Sequence, residues 1–444
     1  MADERRWWAL IVLAAAQFMV IMDTSIIGVA LPDMQRDLGF SDGGLQWVFN
    51  AYVVAFGGLL LLGGRLADLF GARRVFVTGW AVLIAGSVVA AAATTAWVEV
   101  AGRAVQGIGG ALIAPAAMAL LMMLFGHNAR ELGKAMALYG AAAPAGGTAG
   151  VFLGGVITEY LSWPWVFIIY VPIGLATLAA TRLLPAVRGK RGSVDLVGAA
   201  SVTAGIALVV YAIVAANWPA GLGGAALLAL FLFVQRTVRE PLMPLAIWRT
   251  PGLATSNLAM ALLGAAWIPM WYFLNLYLQQ VLGYGAFASG AALLPMTVAI
   301  MIFMIGITAR LLGRFGAKPL IVVGLAVLAA GVAGLGFTGG FATNVLPASL
   351  IAAVGMSLAY IPAMMSAMSG ARPEEAGLAS GIVNTTYQVG SALGLAVMTA
   401  LATSQEQFGF QAAFTGAAVV AVLGAALTSA LMRRPSVRES DPVG

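Results

Sequence analysis

Asp23 and Arg103 are the residues of this sequence best placed to do chemistry. Each lies inside a long apolar run, where charge is costly. An ionised carboxylate in hydrocarbon is so unfavourable that Asp23 must face a wet cavity, find a partner or hold a proton. Arg103 needs an anion or a polar lining for the same reason. Its candidate partners are Asp23 and Glu99, the latter four residues earlier and so on the same helix face. Such a pair suits moving a proton. The plainer alternatives are a structural hydrogen bond for Asp23 and, for Arg103, a side chain that snorkels outward beside Glu99. Material for bond-making catalysis is scarce: the chain has one histidine, His127, and no cysteine. The spans hold no paired carboxylates, Ser–His arrangement or metal cluster, which argues against an intramembrane enzyme.

The elements that carry these residues follow from composition. The chain has 444 residues, 61% hydrophobic and 9% charged, and a mean hydropathy of +0.96. A soluble domain carries roughly 25% charged residues. Too few charges exist here to cover a water-facing surface, which excludes a soluble enzyme, a nucleic-acid-binding domain and a disordered chain. The basic balance does not point to nucleic acid, because the charges sit in short loops between apolar runs.

A membrane-crossing helix needs about 20 apolar residues. Fourteen spans are predicted: 6–30, 45–64, 74–93, 97–125, 134–160, 164–184, 194–216, 219–235, 253–281, 288–312, 318–338, 344–369, 375–404 and 410–432. The runs are continuously apolar without a two-residue alternation, so they are helices and not barrel strands. The first is too long for a signal-peptide core and carries Asp23, so it is expected to stay as a helix. With a cytoplasmic N-terminus, all 23 lysines and arginines except Arg36 and Arg103 fall on the inner side. That asymmetry places both termini in the cytoplasm. The acidic Asp33, Asp37, Asp42, Glu99, Glu159 and Glu406 then lie on or near the outer side.

The chain also repeats itself. Arg65-Leu66-Ala67-Asp68-Leu69-Phe70-Gly71-Ala72-Arg73 is similar to Arg310-Leu311-Leu312-Gly313-Arg314-Phe315-Gly316-Ala317-Lys318, an offset of 245. Gly133, Ala135, Gly146 and Gly150 recur as Gly377, Ala379, Gly390 and Gly394, and Pro115 as Pro362, at offsets of 244 and 247. Parallel repeats of six spans are a transporter architecture. The expected domains are a six-helix bundle over 1–190, an inserted two-helix hairpin and linker over 191–250, and a second six-helix bundle over 251–444.

These stretches resemble the major facilitator superfamily, and most closely its fourteen-span drug/proton antiporters. The strongest match is Gly64-Arg65-Leu66-Ala67-Asp68-Leu69-Phe70-Gly71-Ala72-Arg73-Arg74, the superfamily's loop between spans 2 and 3. The resemblance implies a cytoplasmic latch in which Asp68 pairs with Arg73 or Arg74 as the halves rock. The second copy has Gly313 in place of Asp68, so one latch is complete. Met22-Asp23-Thr24-Ser25 through Leu31-Pro32 resembles the family's span-1 signature, with Gly28 where the family has Asn. Arg103-Ala104-Val105-Gln106-Gly107 resembles its span-4 signature. By this resemblance Asp23 is the proton-coupling carboxylate and Arg103 its modulator. Gly146, Gly150 and Gly154 resemble the antiporter signature of span 5, whose small residues allow tight packing and a bend between the halves; Val151 stands where a proline is usual. Ser162-Trp163-Pro164-Trp165, Asp195-Leu196-x-Gly198, Glu240-Pro241-Leu242 and Gly377-Leu378-Ala379-Ser380-Gly381 extend the likeness over nearly the whole chain.

Candidate substrate-lining residues are Asp23, Asn50, Tyr52, Gln106, the four-spaced Trp267, Trp271, Asn275 and Gln279, and Asn384 with Gln388. Interhelical hydrogen bonding and an interfacial belt are the plainer uses of such residues. A cavity of this kind suits a bulky, lipophilic or cationic molecule. The expected function is proton-coupled efflux of such small molecules by alternating access, with protons as the coupling ion and no cofactor. The expected setting is a bacterial inner membrane, the lipid bilayer being the one partner besides the substrate. The alternative is export or flipping of a specific metabolite or lipid, with spans 7 and 8 lining a lateral opening; a receptor is the reading from another class.

Overall fold

A computed structural model describes residues 2–186, 189, 193–336, 339–369, 376–405 and 409–432. Among these the chain is helical, with no strand. Twelve helices are long and apolar enough to cross a membrane. In chain order the first six are α1 (Ala2–Leu38), α2 (Trp47–Phe70), α3 (Ala72–Ala91), α4 (Ala96–Phe125), α5 (Ala129–Tyr160) and α6 (Tyr170–Ala180), the last preceded by the single turn Trp165–Ile168. The hairpin is α7 (Leu196–Val214) and α8 (Trp218–Thr237). There follow α9 (Leu253–Gln280), α10 (Ala286–Ile302), α11 (Ala317–Leu335), α12 (Leu346–Ser369), α13 (Ala376–Thr403) and α14 (Gly409–Leu431).

Two predicted spans miss the length and hydropathy criterion, each for a local reason. Span 288–312 is interrupted: α10 runs into the π turn Phe303–Ile307 and then the helical segment Thr308–Phe315. Span 375–404 is one helix of 28 residues, α13, but its middle carries Asn384, Thr385, Thr386, Tyr387 and Gln388. α1 also overruns its predicted end, because Pro32 leaves the helix intact as far as Leu38. Glu406 and the proposed domain boundary at 190/191 lie outside the described residues.

The repeat is visible in the packing. A Cβ on Gly146 would sit 2.3 Å from the Phe18 carbonyl oxygen, and one on Gly150 2.8 Å from that of Met22. Their counterparts Gly390 and Gly394 approach the carbonyls of Ala261 and Ala265 equally closely. So α5 lies on α1 as α13 lies on α9. Likewise Gly79 and Gly109 interlock α3 with α4, and Gly324 and Gly355 interlock α11 with α12. Small residues allow this close approach in lipid, where packing and not hydrophobic burial holds helices together. Each copy turns on a glycine with positive φ, Gly71 at 90° and Gly316 at 78°. That conformation is open to glycine at no steric cost.

The hairpin is capped at both starts. Asp195 accepts the Gly198 amide N–H at 2.7 Å and Asn217 accepts that of Ala220 at 3.1 Å. Asp195 also receives Gln235 Nε2 at 2.7 Å, which ties the two hairpin helices together. α7 packs on both α2 and α13, with Thr203 filling the space over Gly58. Large apolar side chains such as Phe233, Val422 and Leu423 are left exposed on outer faces, as expected where the solvent is hydrocarbon.

Candidate functional site

α1, α2, α3, α4 and α6 enclose a polar island. Asp23 and Arg103 are both fully buried. Arg103 Nη1 donates to Asp23 Oδ2 at 2.7 Å and to Gln106 Oε1 at 2.7 Å. Arg103 Nε donates to the Val48 carbonyl at 2.8 Å. Gln106 Nε2 donates in turn to Ser87 Oγ at 2.8 Å. The guanidinium lies 4.7 Å from the Tyr52 ring centre and 5.9 Å from that of Phe167. The arginine is thus held by one charge, two polar acceptors and two aromatic faces, an arrangement that repays removal from water only because it is nearly complete.

The geometry decides three points. Arg103 does not snorkel beside Glu99; its head group is buried and reaches across to α1. Glu99, expected on or near the outer side, is fully buried, and neither carboxylate oxygen has a hydrogen-bond partner. Gln106 and Tyr52 are committed to the island, Tyr52 also donating its hydroxyl to the Val20 carbonyl at 3.4 Å, so they support the charges instead of lining a cavity. One Asp23 oxygen, Oδ1, and one guanidinium nitrogen, Nη2, are also without partners.

The glycines of span 5 serve this island. Gly146, Gly150 and Gly154 face Phe18, Met22 and Ile26 of α1, so they set the position of Asp23 and do not lie between the halves as predicted. Contact across the halves uses the next positions round α5: Gly155 lies against Ala286, and Gly290 of α10 against the Val151 carbonyl.

The predicted stripe on α9 divides. Trp267 and Trp271 are buried, and the Trp271 indole fills the space over Gly28 of α1. Asn275 donates to the Trp271 carbonyl within its own helix at 2.8 Å. Gln279 donates to the Val29 carbonyl at 2.9 Å. It belongs to a vestibule of about 510 Å³ with Asp33, Arg36, Glu159 and Tyr284, and so closes one end of the α1–α9 contact. On α13, Gln388 packs over Gly57 of α2 and Asn384 is half-buried. In α2, Asn50 is buried and takes Gln46 as partner at 3.2 Å.

The loop after α2 has Gly64 and Asp68 on the helix, Gly71 at the turn and Arg73 and Arg74 opening α3. The predicted ion pair is not formed: Asp68 is exposed, and no ion pair among the described residues joins it to Arg73 or Arg74. Arg65 is the engaged residue. It pairs with Glu240, beyond α8, and donates to the Ser193 carbonyl, before α7, at 3.3 Å. Glu240 receives the Ser193 amide at 2.6 Å and its hydroxyl at 3.0 Å. The loop is therefore strapped to both ends of the hairpin. The Ser193 amide first, then its hydroxyl and the Arg65 guanidinium, hold the Glu240 carboxyl below the usual range. A carboxyl lowered in the folded state stabilises it above the unfolded value and loses that contribution as pH falls through the folded value. The strap should therefore hold at neutral pH and open only in acid below the ordinary glutamate range. Glu240→Gln should open it at neutral pH, read as several-fold faster hydrogen exchange at the Ser193 amide.

A family model for the Major Facilitator Superfamily matches residues 13–395. The puromycin resistance protein pur8 of Streptomyces alboniger is 38% identical over 418 residues, covering 90% of this chain and 82% of that protein. The cephamycin export protein CmcT of Amycolatopsis lactamdurans is 37% identical over 465 residues, covering 98% and 94%. The crystal structure of the nucleoside transporter NupG superposes with a TM-score of 0.69 at 15% identity, covering 97% of this chain and all of that one, 100%, a likeness of fold. Paired bundles with matching glycine seams, a strapped loop after α2 and a buried carboxylate–arginine pair sit on a sequence matched over most of its length, and the chain belongs to the Major Facilitator Superfamily.

Proposed function

We propose that this protein exports bulky, lipophilic, in part cationic small molecules across a bacterial inner membrane, driven by proton return. The observation that carries the reading is the fully buried Asp23–Arg103 pair. A carboxylate held that deep, with one oxygen unpartnered, is a site that can exchange its arginine for a proton. The named relatives resist or export antibiotics, which supports an amphipathic cargo. In this reading the chain crosses fourteen times as six, two and six, with α10 through Phe315 and α13 as the two further crossings and both termini cytoplasmic. The inner-side lysines and arginines support that orientation. Gln279 on Val29 and Trp271 on Gly28 close the outer end of the α1–α9 contact, so alternating access would begin by opening it.

The test is a panel of lipophilic cations and neutral antibiotics with protein reconstituted in liposomes under an imposed pH gradient. Gradient-dependent flux of at least one class is expected; flux indifferent to the gradient for all of them would overturn the reading. The second reading is export of a lipid, which would enter between α2, the hairpin and α13 at a crevice lined by Gly58, Val202, Phe231, Met243 and Thr385; at about 70 Å³ it would have to widen to admit one. Competition of a fluorescent phospholipid with the best drug separates the two.

A further inference from the structure

The polar island holds two carboxyls but one cation. Asp23, Glu99 and Arg103 are all fully buried, and the charged groups acting on Glu99 are Arg103 and Asp23. The other titratable groups facing the island are Tyr52 from α2 and Tyr170 from α6, both neutral phenols, while α3 contributes Ser87. Glu159 of α5 is engaged elsewhere, with the Phe287 amide at the start of α10. Burying a net charge in a water-poor bundle is far more costly than burying a neutral set. One guanidinium therefore balances one carboxylate, and the second carboxyl must carry a proton.

The hydrogen bonds say which one. Arg103 Nη1 is on Asp23 at 2.7 Å. Glu99 accepts nothing on either oxygen, as suits a neutral acid and not an anion. Arg103 Nη2 is a donor without an acceptor, and Glu99 lies one helical turn before it on the same helix face. Glu99 also stands in the first turn of α4, where the helix dipole favours a negative charge once it forms.

We propose that Glu99 is a second proton carrier: Arg103 swings from Asp23 to Glu99 while the proton passes the other way. The balance is simple. The Glu99 O–H bond breaks as the Asp23 O–H bond forms, and Arg103 moves to the Glu99 carboxylate, so the transfer leaves the island's charge unchanged. Asp23 then releases that proton to water on the inner side and takes Arg103 back, and Glu99 re-forms its O–H bond with a proton from water on the outer side. Arg103 stays charged throughout, and one net proton crosses per cycle. The inference rests on the proton-coupled reading above and adds a site to it.

Infrared spectroscopy of the intact wild-type protein at neutral pH, with and without isotope-labelled glutamate, tests the resting state. A protonated-acid carbonyl band that shifts with the label is expected; its absence would overturn the proposal and needs no variant to fold. Glu99→Gln then tests the carrier role. Net gradient-driven efflux should fall about tenfold and its pH profile should lose one limb. A rate and pH profile superimposable on wild type would overturn the proposal while leaving proton coupling intact. Wild-type flux indifferent to the gradient would instead remove the reading beneath it.

Discussion

Asp23→Asn should give a folded protein that no longer moves substrate against a pH gradient. Asparagine keeps the shape and can still accept from Arg103 Nη1, now 2.7 Å from Asp23 Oδ2. It cannot take up a proton at neutral pH. Breaking a buried ion pair from one side costs about 3–5 kcal/mol when the remaining charge finds nothing else. Here the loss should be well short of that, because Glu99 stands one turn from Arg103 and can ionise to serve as counter-ion. The protein should elute as a monodisperse species and melt within a few degrees of wild type. Its gradient-driven flux in liposomes should drop to that of protein-free vesicles. Undiminished flux would remove Asp23 from the coupling path.

The second large effect is structural. Gly150→Val should leave little assembled protein in the membrane. An added Cβ at Gly150 meets the Met22 carbonyl oxygen at 2.8 Å, Ser25 Cβ at 2.9 Å and the Ile26 amide at 3.1 Å. Two of these are backbone, so α1 and α5 would have to part. Overpacking of this kind costs on the order of 3 kcal/mol or more, and it falls one residue from the carboxylate the bundle must position. Gly147→Ala is the internal control, since its added carbon meets nothing nearer than Ser25 Oγ at 3.7 Å. Fluorescence-detected size exclusion of tagged protein should show the first variant as aggregate or absent and the second as wild type. A monodisperse Gly150→Val protein would mean that α1 is free to shift.

Much of this was legible in the sequence, because the membrane makes the rules severe. Apolar run length places helices directly, and the glycine offsets that suggested a repeat are the contacts that build both seams. Asp23 and Arg103 had to find partners, and they found each other. What the sequence could not show is reach across the fold. The sequence offered Arg103 both Asp23 and Glu99, the latter by its spacing of four, and only the fold shows that the carboxylate 80 positions away takes the bond. Spacing of five or six joined Asp68 to Arg73 and Arg74, yet the engaged residue is Arg65, whose partner lies 175 positions on. The π turns at Phe303–Ile307 and Phe341–Val345 leave no mark in hydropathy, since they answer to packing by neighbouring helices. Gly28, standing where the resembled family has Asn, is the space that Trp271 occupies.

The seams that align Phe18 with Ala261 and Met22 with Ala265 carry Gly28 onto Trp271, so the smallest and the largest side chains stand at positions related by the pseudo-twofold axis. Two glycines there would leave a hole, and two tryptophans would collide. At that contact each half therefore fits its neighbour better than it would fit a second copy of itself.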